Sequence, residues 1–233
     1  MYPYYTYWDP TYILVVIGAV ISMIASANVK RSFQKNSRVY NQRGLRAEQV
    51  AEMILRSAGI TDVSIRRVSG DLTDHYDPSK KVVNLSDSVY GSTSVSAVGV
   101  AAHECGHAVQ HAHAYAPLKM RSSLVPVISF ASNWMMWVLL IGMFTLNVFP
   151  QIMLFGIILF AATTLFSFIT LPVEIDASRR AVKWLSEAGV TNNRNYGAAV
   201  SALRSAAYTY VVAALGSLAT LLYYIMIFLG RRD

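Results

Sequence analysis

Ser122 to Val173, SSLVPVISFASNWMMWVLLIGMFTLNVFPQIMLFGIILFAATTLFSFITLPV, runs for 52 residues without an Asp, Glu, Lys or Arg. A bilayer-spanning helix needs about 20 apolar residues. The block is too long for one such helix and fits two, with Asn147-Val148-Phe149-Pro150-Gln151 as the turn between them. Two further charge-free blocks flank it, Pro10 to Val29 and Ser205 to Gly230, and each suits one span. The chain of 233 residues is 54% hydrophobic and 14% charged, whereas soluble domains carry about 25% charged residues. This pattern predicts a multi-pass, mainly α membrane protein with four transmembrane helices near 11–29, 125–146, 151–171 and 207–229. Core helices of a soluble protein are the competing reading, and the charge distribution disfavours it.

The first span does not read as a cleaved leader. No Lys or Arg precedes it, and no small-x-small cleavage site stands before the basic stretch. Tyr2, Tyr4, Tyr5, Tyr7, Trp8 and Tyr12 suit an interfacial aromatic belt. Of the 20 basic residues, 13 fall in segment 30–121 and five in 174–204. Four spans place both segments on one side, which the positive-inside rule makes cytoplasmic. The N-terminus, the 147–151 turn and the C-terminus then face outside; Arg231 and Arg232 count against that. The net charge of +7 reads as topology and contact with anionic lipid. It does not read as nucleic-acid binding, because no nucleic-acid module accompanies it. The chain divides into 1–29, 30–121, 122–173, 174–206 and 207–233. The second and fourth pieces together form a small, split α+β unit.

Inside that unit, residues 30–60 read as helical, best over Arg46 to Ala58 with Gly59 at the end. Val63 to Val68 reads as a strand. Asp71 to Tyr76 and Lys81 to Leu85 read as a hairpin turning at Asp77-Pro78-Ser79, with Lys81 to Leu85 the candidate edge for pairing an extended substrate. Ser86 or Ser88 suits the start of a short helix. Ser94 is the expected N-cap of an apolar helix from Val95, and Pro117 is expected to end the helical run.

That helix carries His103-Glu104-Cys105-Gly106-His107. At about 100° per residue, His103 and His107 lie about 40° apart on one face and one turn apart. Two imidazoles so placed can share Zn²⁺, and Glu104 on the neighbouring flank can take a proton from water. Burying two His and a Glu unpartnered would be costly; a metal removes that cost. Cys105 lies about 160° from His107 around the helix and reads as a small core residue. As the single cysteine, it excludes an intramolecular disulfide.

A catalytic zinc wants three protein ligands and one open position. Pro172 suits the first turn of a helix. Beyond it, Glu174 and Ser178 share a face, so Glu174 can ligate while Ser178 or Asp176 supports the site from outside. His113 competes, standing where a third His ligand falls in H-E-x-x-H-x-x-G-x-x-H enzymes. The helix-breaking Gly of that pattern is here Gln110. His111 and His113 also read as polar residues at the helix end.

His103 to Gln110, with Pro172 to Ala181, resembles the bacterial YugP-type neutral zinc metallopeptidases. His75-Tyr76-Asp77-Pro78, Val83-Asn84-Leu85-Ser86 and Ala206-Ala207-Tyr208-Thr209-Tyr210-Val211 fit as well, so the resemblance covers nearly the whole chain. That family is similar in turn to the HtpX and CAAX-type membrane gluzincins. The resemblance implies one catalytic Zn²⁺ held by His103, His107 and Glu174, with Glu104 as general base. The wider gluzincin pattern has Asp four residues after its ligand Glu, where this chain has Ser178.

The resulting expectation is a metalloprotease of the bacterial cell membrane with a zincin-like site on the cytoplasmic side. Its substrates would be peptides or proteins, membrane proteins among them. Tyr210, His75 and Arg204 are candidate oxyanion donors, with Tyr210 preferred as a catalytic residue. A non-enzymatic membrane scaffold or transporter component with a structural metal is the alternative; such a site would have four protein ligands.

Overall fold

The computed structural model describes residues 12–230. The aromatic residues Tyr2 to Trp8 and the basic pair Arg231 and Arg232 lie outside the described residues. Among the described residues, six helices and three strands follow in the order α1 (Tyr12–Asn36), α2 (Ala47–Ser57), β1 (Ser64–Val68), β2 (His75–Asp77), β3 (Val82–Ser86), α3 (Val95–Ala112), α4 (Ala116–Phe144), α5 (Pro150–Glu187) and α6 (Tyr196–Gly230). Four of the helices, α1, α4, α5 and α6, are long and apolar enough to cross a membrane. All four outrun the hydrophobic blocks that signal them. Pro172 lies inside α5 rather than at a helix start, and Pro117 lies in the first turn of α4 rather than ending α3. Proline at a first turn costs no hydrogen bond, and proline within a membrane helix is tolerated where neighbouring groups satisfy the freed carbonyl.

The chain forms two compact units. Among the described residues, the first comprises 12–24, 125–167 and 212–230. Its small core is Leu139, Met153 and Ile157, backed by Phe160, Leu221 and Tyr224. The α4–α5 turn, residues 145–149, overlaps the expected turn from Asn147 to Gln151 but begins and ends two residues earlier, with Pro150 as the first residue of α5. Close approach there depends on glycine: a Cβ on Gly142 would come within 2.6 Å of the Met153 Cα. Small residues let membrane helices pack this tightly. Large apolar side chains stay exposed, with Trp137 at 61% and Leu165 at 60%; an apolar exterior of this kind suits lipid as the surrounding medium.

The second unit comprises residues 25–124 and 168–211. Its core unites α2, α3, the sheet and α5 through Val50, Ile54, Val83, Leu85, Val98, Ala101, Cys105 and Leu185. Ser94 caps α3 as its sequence predicts, its Oγ accepting from the Ala97 N–H at 3.2 Å. Ser86 ends β3, and the segment from Asp87 to Gly91 is a turn rather than a helix. The hairpin turn is held by Asp77 Oδ1, which accepts from the Ser79 N–H at 3.0 Å and the Lys80 N–H at 3.2 Å.

The sheet has the order β1-β3-β2. β1 runs parallel to β3 with Ile65 opposite Val83, and β2 runs antiparallel to it with Tyr76 opposite Val83. This corrects the expectation that Lys81 to Leu85 offers an edge. β3 is the central strand, paired on both sides, and the edges belong to β1 and β2. Its composition agrees: Val82, Val83, Leu85 and Ser86 are all buried, the continuous burial of a strand covered on both faces.

Gly106 marks the contact that positions the site. A Cβ there would meet the Ala177 carbonyl oxygen at 2.9 Å and the Ala177 Cα at 3.1 Å. Both atoms are backbone of α5 and cannot rotate away. Gly106→Ala should therefore push α3 from α5 and cost about 1–3 kcal/mol, the usual penalty of overpacking. Thermal unfolding in detergent reads this out; an unchanged midpoint would contradict the close approach.

Candidate metal centre

α3 is amphipathic in an inverted sense, with its polar side chains turned into the protein. Glu104, His107 and Gln110 are buried beside apolar Ala101, Ala102, Cys105 and Ala108. One turn separates His103 from His107, and their rings meet edge-on with centroids 4.8 Å apart. Both Nε2 atoms point at one oxygen on the facing helix. Glu174 Oε2 stands 3.3 Å from His103 Nε2 and 3.6 Å from His107 Nε2. The three donor atoms lie within 4.8 Å of one another.

Among the described residues, Glu174 Oε2 is buried and has no hydrogen-bond partner. An unsatisfied carboxylate oxygen in the interior is costly, and its position explains it. Ligand atoms about 2.0–2.1 Å from a tetrahedral Zn²⁺ stand about 3.3–3.4 Å from each other. The 3.3 Å spacing to His103 matches that figure and the 3.6 Å spacing to His107 is a little wider, and the His, His and Glu donor set is one that catalytic zinc sites use.

Each imidazole is oriented by its other nitrogen. Ser178 Oγ shares a hydrogen bond with His103 Nδ1 at 3.1 Å. Gln110 Oε1 lies 3.0 Å from His107 Nδ1, while Gln110 Nε2 donates to the Val173 carbonyl and to Asp176 Oδ2, both at 2.9 Å. Two acceptors on the amide nitrogen fix which way the amide faces. Its oxygen then meets His107, so His107 donates from Nδ1 and keeps Nε2 as a lone pair for a metal. Asp176 is held in turn by Arg180 Nε at 2.6 Å. Ser178 and Asp176 thus both support the site, one for each histidine. Gln110 enters the sequence reading only as the residue that is not glycine, yet it is fully buried and tied to three groups. Its spacing of three residues from His107, on an otherwise apolar helix, is the signal that marks it.

Electrostatics favour a cation here. Burial opposes charge on His107, but its contact with Glu174 and the charges of Glu104 and Glu174 outweigh that and hold its pKa above the ordinary imidazole value. Glu104 is 8% exposed and near enough to Asp74 to affect it. Burial raises the Asp74 carboxyl against two donors from Ser86, and the charge of Glu104 adds to the rise. Burial also pushes the Cys105 thiol up, and Cys105 packs in the core with its Sγ 3.6 Å from the Ala51 carbonyl. An inert core thiol is what its place on the helix predicts.

The competing ligands are engaged elsewhere. α3 continues to Ala112, and His113 is its C-cap residue, with Nδ1 donating to the Val109 carbonyl at 2.9 Å. His111 shares a hydrogen bond with the Tyr76 hydroxyl at 2.9 Å. Among the oxyanion candidates, Tyr210 lies near enough to Glu174 to feel its charge. His75 donates from Nδ1 to the Thr73 carbonyl and accepts at Nε2 from Asn84. Arg204 lines a cleft of about 580 Å³ with Tyr196, Val200 and Leu203. One contact has no counterpart in the sequence reading: Arg121 Nη1 donates to Glu174 Oε1 at 3.1 Å.

The chain is similar to known proteins along nearly its whole length. The profile of the family described as "Putative neutral zinc metallopeptidase" matches residues 11–229. The "Putative membrane protease YugP" of Bacillus subtilis (strain 168) is 43% identical over 225 residues, covering 95% of this chain and 98% of that protein. No solved structure matches the chain. With the match spanning the four long apolar helices and the grouped His103, His107 and Glu174, the chain belongs to the family described as "Putative neutral zinc metallopeptidase".

Proposed function

We propose that this protein is a zinc endopeptidase of the bacterial cell membrane, with His103, His107 and Glu174 holding one Zn²⁺ and Glu104 as general base. The buried, unpartnered Oε2 of Glu174 between two imidazole nitrogens carries this reading. Bound zinc would polarise the scissile carbonyl and acidify the attacking water. Glu104 takes a proton from that water and passes it to the leaving amine. Gln110 and Ser178 hold the two imidazoles in orientation. Tyr210, beside Glu174, donates a hydrogen bond to the oxyanion that develops on the substrate carbonyl.

A non-enzymatic structural metal site would call for a fourth protein ligand. Among the described residues the metal-competent group has three members, which favours a site with an open position. The purified protein should carry one zinc per chain and cleave an unstructured peptide, with cleavage abolished by a chelator and restored by Zn²⁺. Zinc-loaded protein without peptide cleavage would turn the reading towards the scaffold alternative.

The site faces the cytoplasm in this proposal, because 18 of the 20 basic residues lie in the two segments on that side. Enzymatic reporters fused after Gln42 and at Asn147 should give a cytoplasmic signal for the first and an external one for the second. An external signal from the Gln42 fusion would invert the topology.

A further inference from the structure

The two oxygens of Glu174 have different surroundings. Oε2 faces the two imidazoles and has no hydrogen-bond donor among the described residues. Oε1 accepts from Arg121 Nη1 at 3.1 Å. The Glu174 side chain is 3% exposed and that of Arg121 32%, so the guanidinium reaches the carboxylate from the accessible side of the site. Arg121 lies near the start of α4, at the last charged position before the uncharged block, and Glu174 is the first charged residue after it.

A carboxylate can bind a metal through one oxygen or through both. Binding through both would fill the position that a hydrolytic site must leave open. We propose that Arg121 is a positioning residue that occupies Oε1, restricts Glu174 to one ligand oxygen and so keeps that position free. This rests on the metal site proposed above. An Arg suits the task because its planar guanidinium is always charged and donates along fixed directions, which a lysine ammonium does not match. Simple neutralisation of a buried carboxylate is the competing role, and it differs in outcome: losing a purely neutralising partner should loosen the fold and weaken metal binding together.

The test uses the full-length protein in detergent, loaded with Co²⁺, whose visible bands are intense in four-coordinate sites and weak at higher coordination. The wild-type protein should show intense bands. Arg121→Ala, with Arg121→Gln as a second variant should the smaller side chain compromise folding, should bind Co²⁺ as tightly or more tightly while band intensity falls several-fold. Arg121→Lys should recover part of that intensity. Variants that keep the wild-type spectrum, or that lose Co²⁺ affinity along with thermal stability, would overturn the role of Arg121 and leave the metal site standing. A wild-type protein that binds no Co²⁺ would instead overturn the metal site itself.

Discussion

Glu104→Gln should hold zinc like the wild-type protein and lose at least about a hundredfold in peptide turnover, the low end for general acid–base catalysis. The amide matches the carboxylate in size, so α3 keeps its packing. Glu104 is not one of the three grouped donors, so the metal set is untouched. What disappears is a group able to accept a proton from water and release it to an amine. Metal analysis beside single-turnover hydrolysis separates the two effects, and hydrolysis near the wild-type rate would remove Glu104 from the mechanism. In the same assay Tyr210→Phe should lower kcat with zinc retained and KM little changed; an unaltered kcat would leave Tyr210 no part in oxyanion stabilisation.

Glu174→Ala should strip zinc from the protein, and His113→Ala should leave it in place. Loss of an outer hydrogen-bond partner weakens metal binding about 10–100-fold, and loss of a ligand itself should exceed that. The substitution also leaves His103, His107 and Arg121 facing an empty position, three nitrogen groups with no carboxylate between them. Because metal binding is coupled to folding, the unfolding temperature should drop as well, and added zinc should not restore it. His113 donates to its own helix, so its removal should cost little. Zinc stoichiometry decides: metal lost from the His113 variant and kept by the Glu174 variant would exchange the two residues' roles.

Local signals were the legible ones. The apolar run from Val95, the Ser94 cap and the histidine spacing all act within a few turns of one helix, and α3 forms as they indicate. The four long helices follow from blocks without charge, a property of composition that needs no knowledge of partners. The position of β3 was not legible, because a hairpin reads the same whether or not a third strand joins it. Parallel pairing of β1, decided by distant contacts, turns the expected edge into the sheet centre. The interior place of Pro172 was hidden for a similar reason: proline at a first turn is the better local solution, and the continuous helix prevails in context. Arg121 read only as one basic residue among 13 in its segment. Its pairing with Glu174 joins positions separated by the 52-residue block, and only its place as the last charge before that block hints at the match.

The separation in sequence has a consequence for the order of synthesis. Ser178 bonds to His103 across 75 residues of chain, and Glu174 lies only four residues before Ser178. A ribosome adding about 5–20 residues per second finishes α3 several seconds before α5 emerges. During that interval the nascent chain carries both histidines and Glu104 but lacks the carboxylate that would complete the proposed metal set. The whole charge-free hairpin must be made first. On the proposed reading, a chain made in this order completes its metal set late in its own translation, after α1, α4 and most of α5 have been synthesised and with only α6 still to follow.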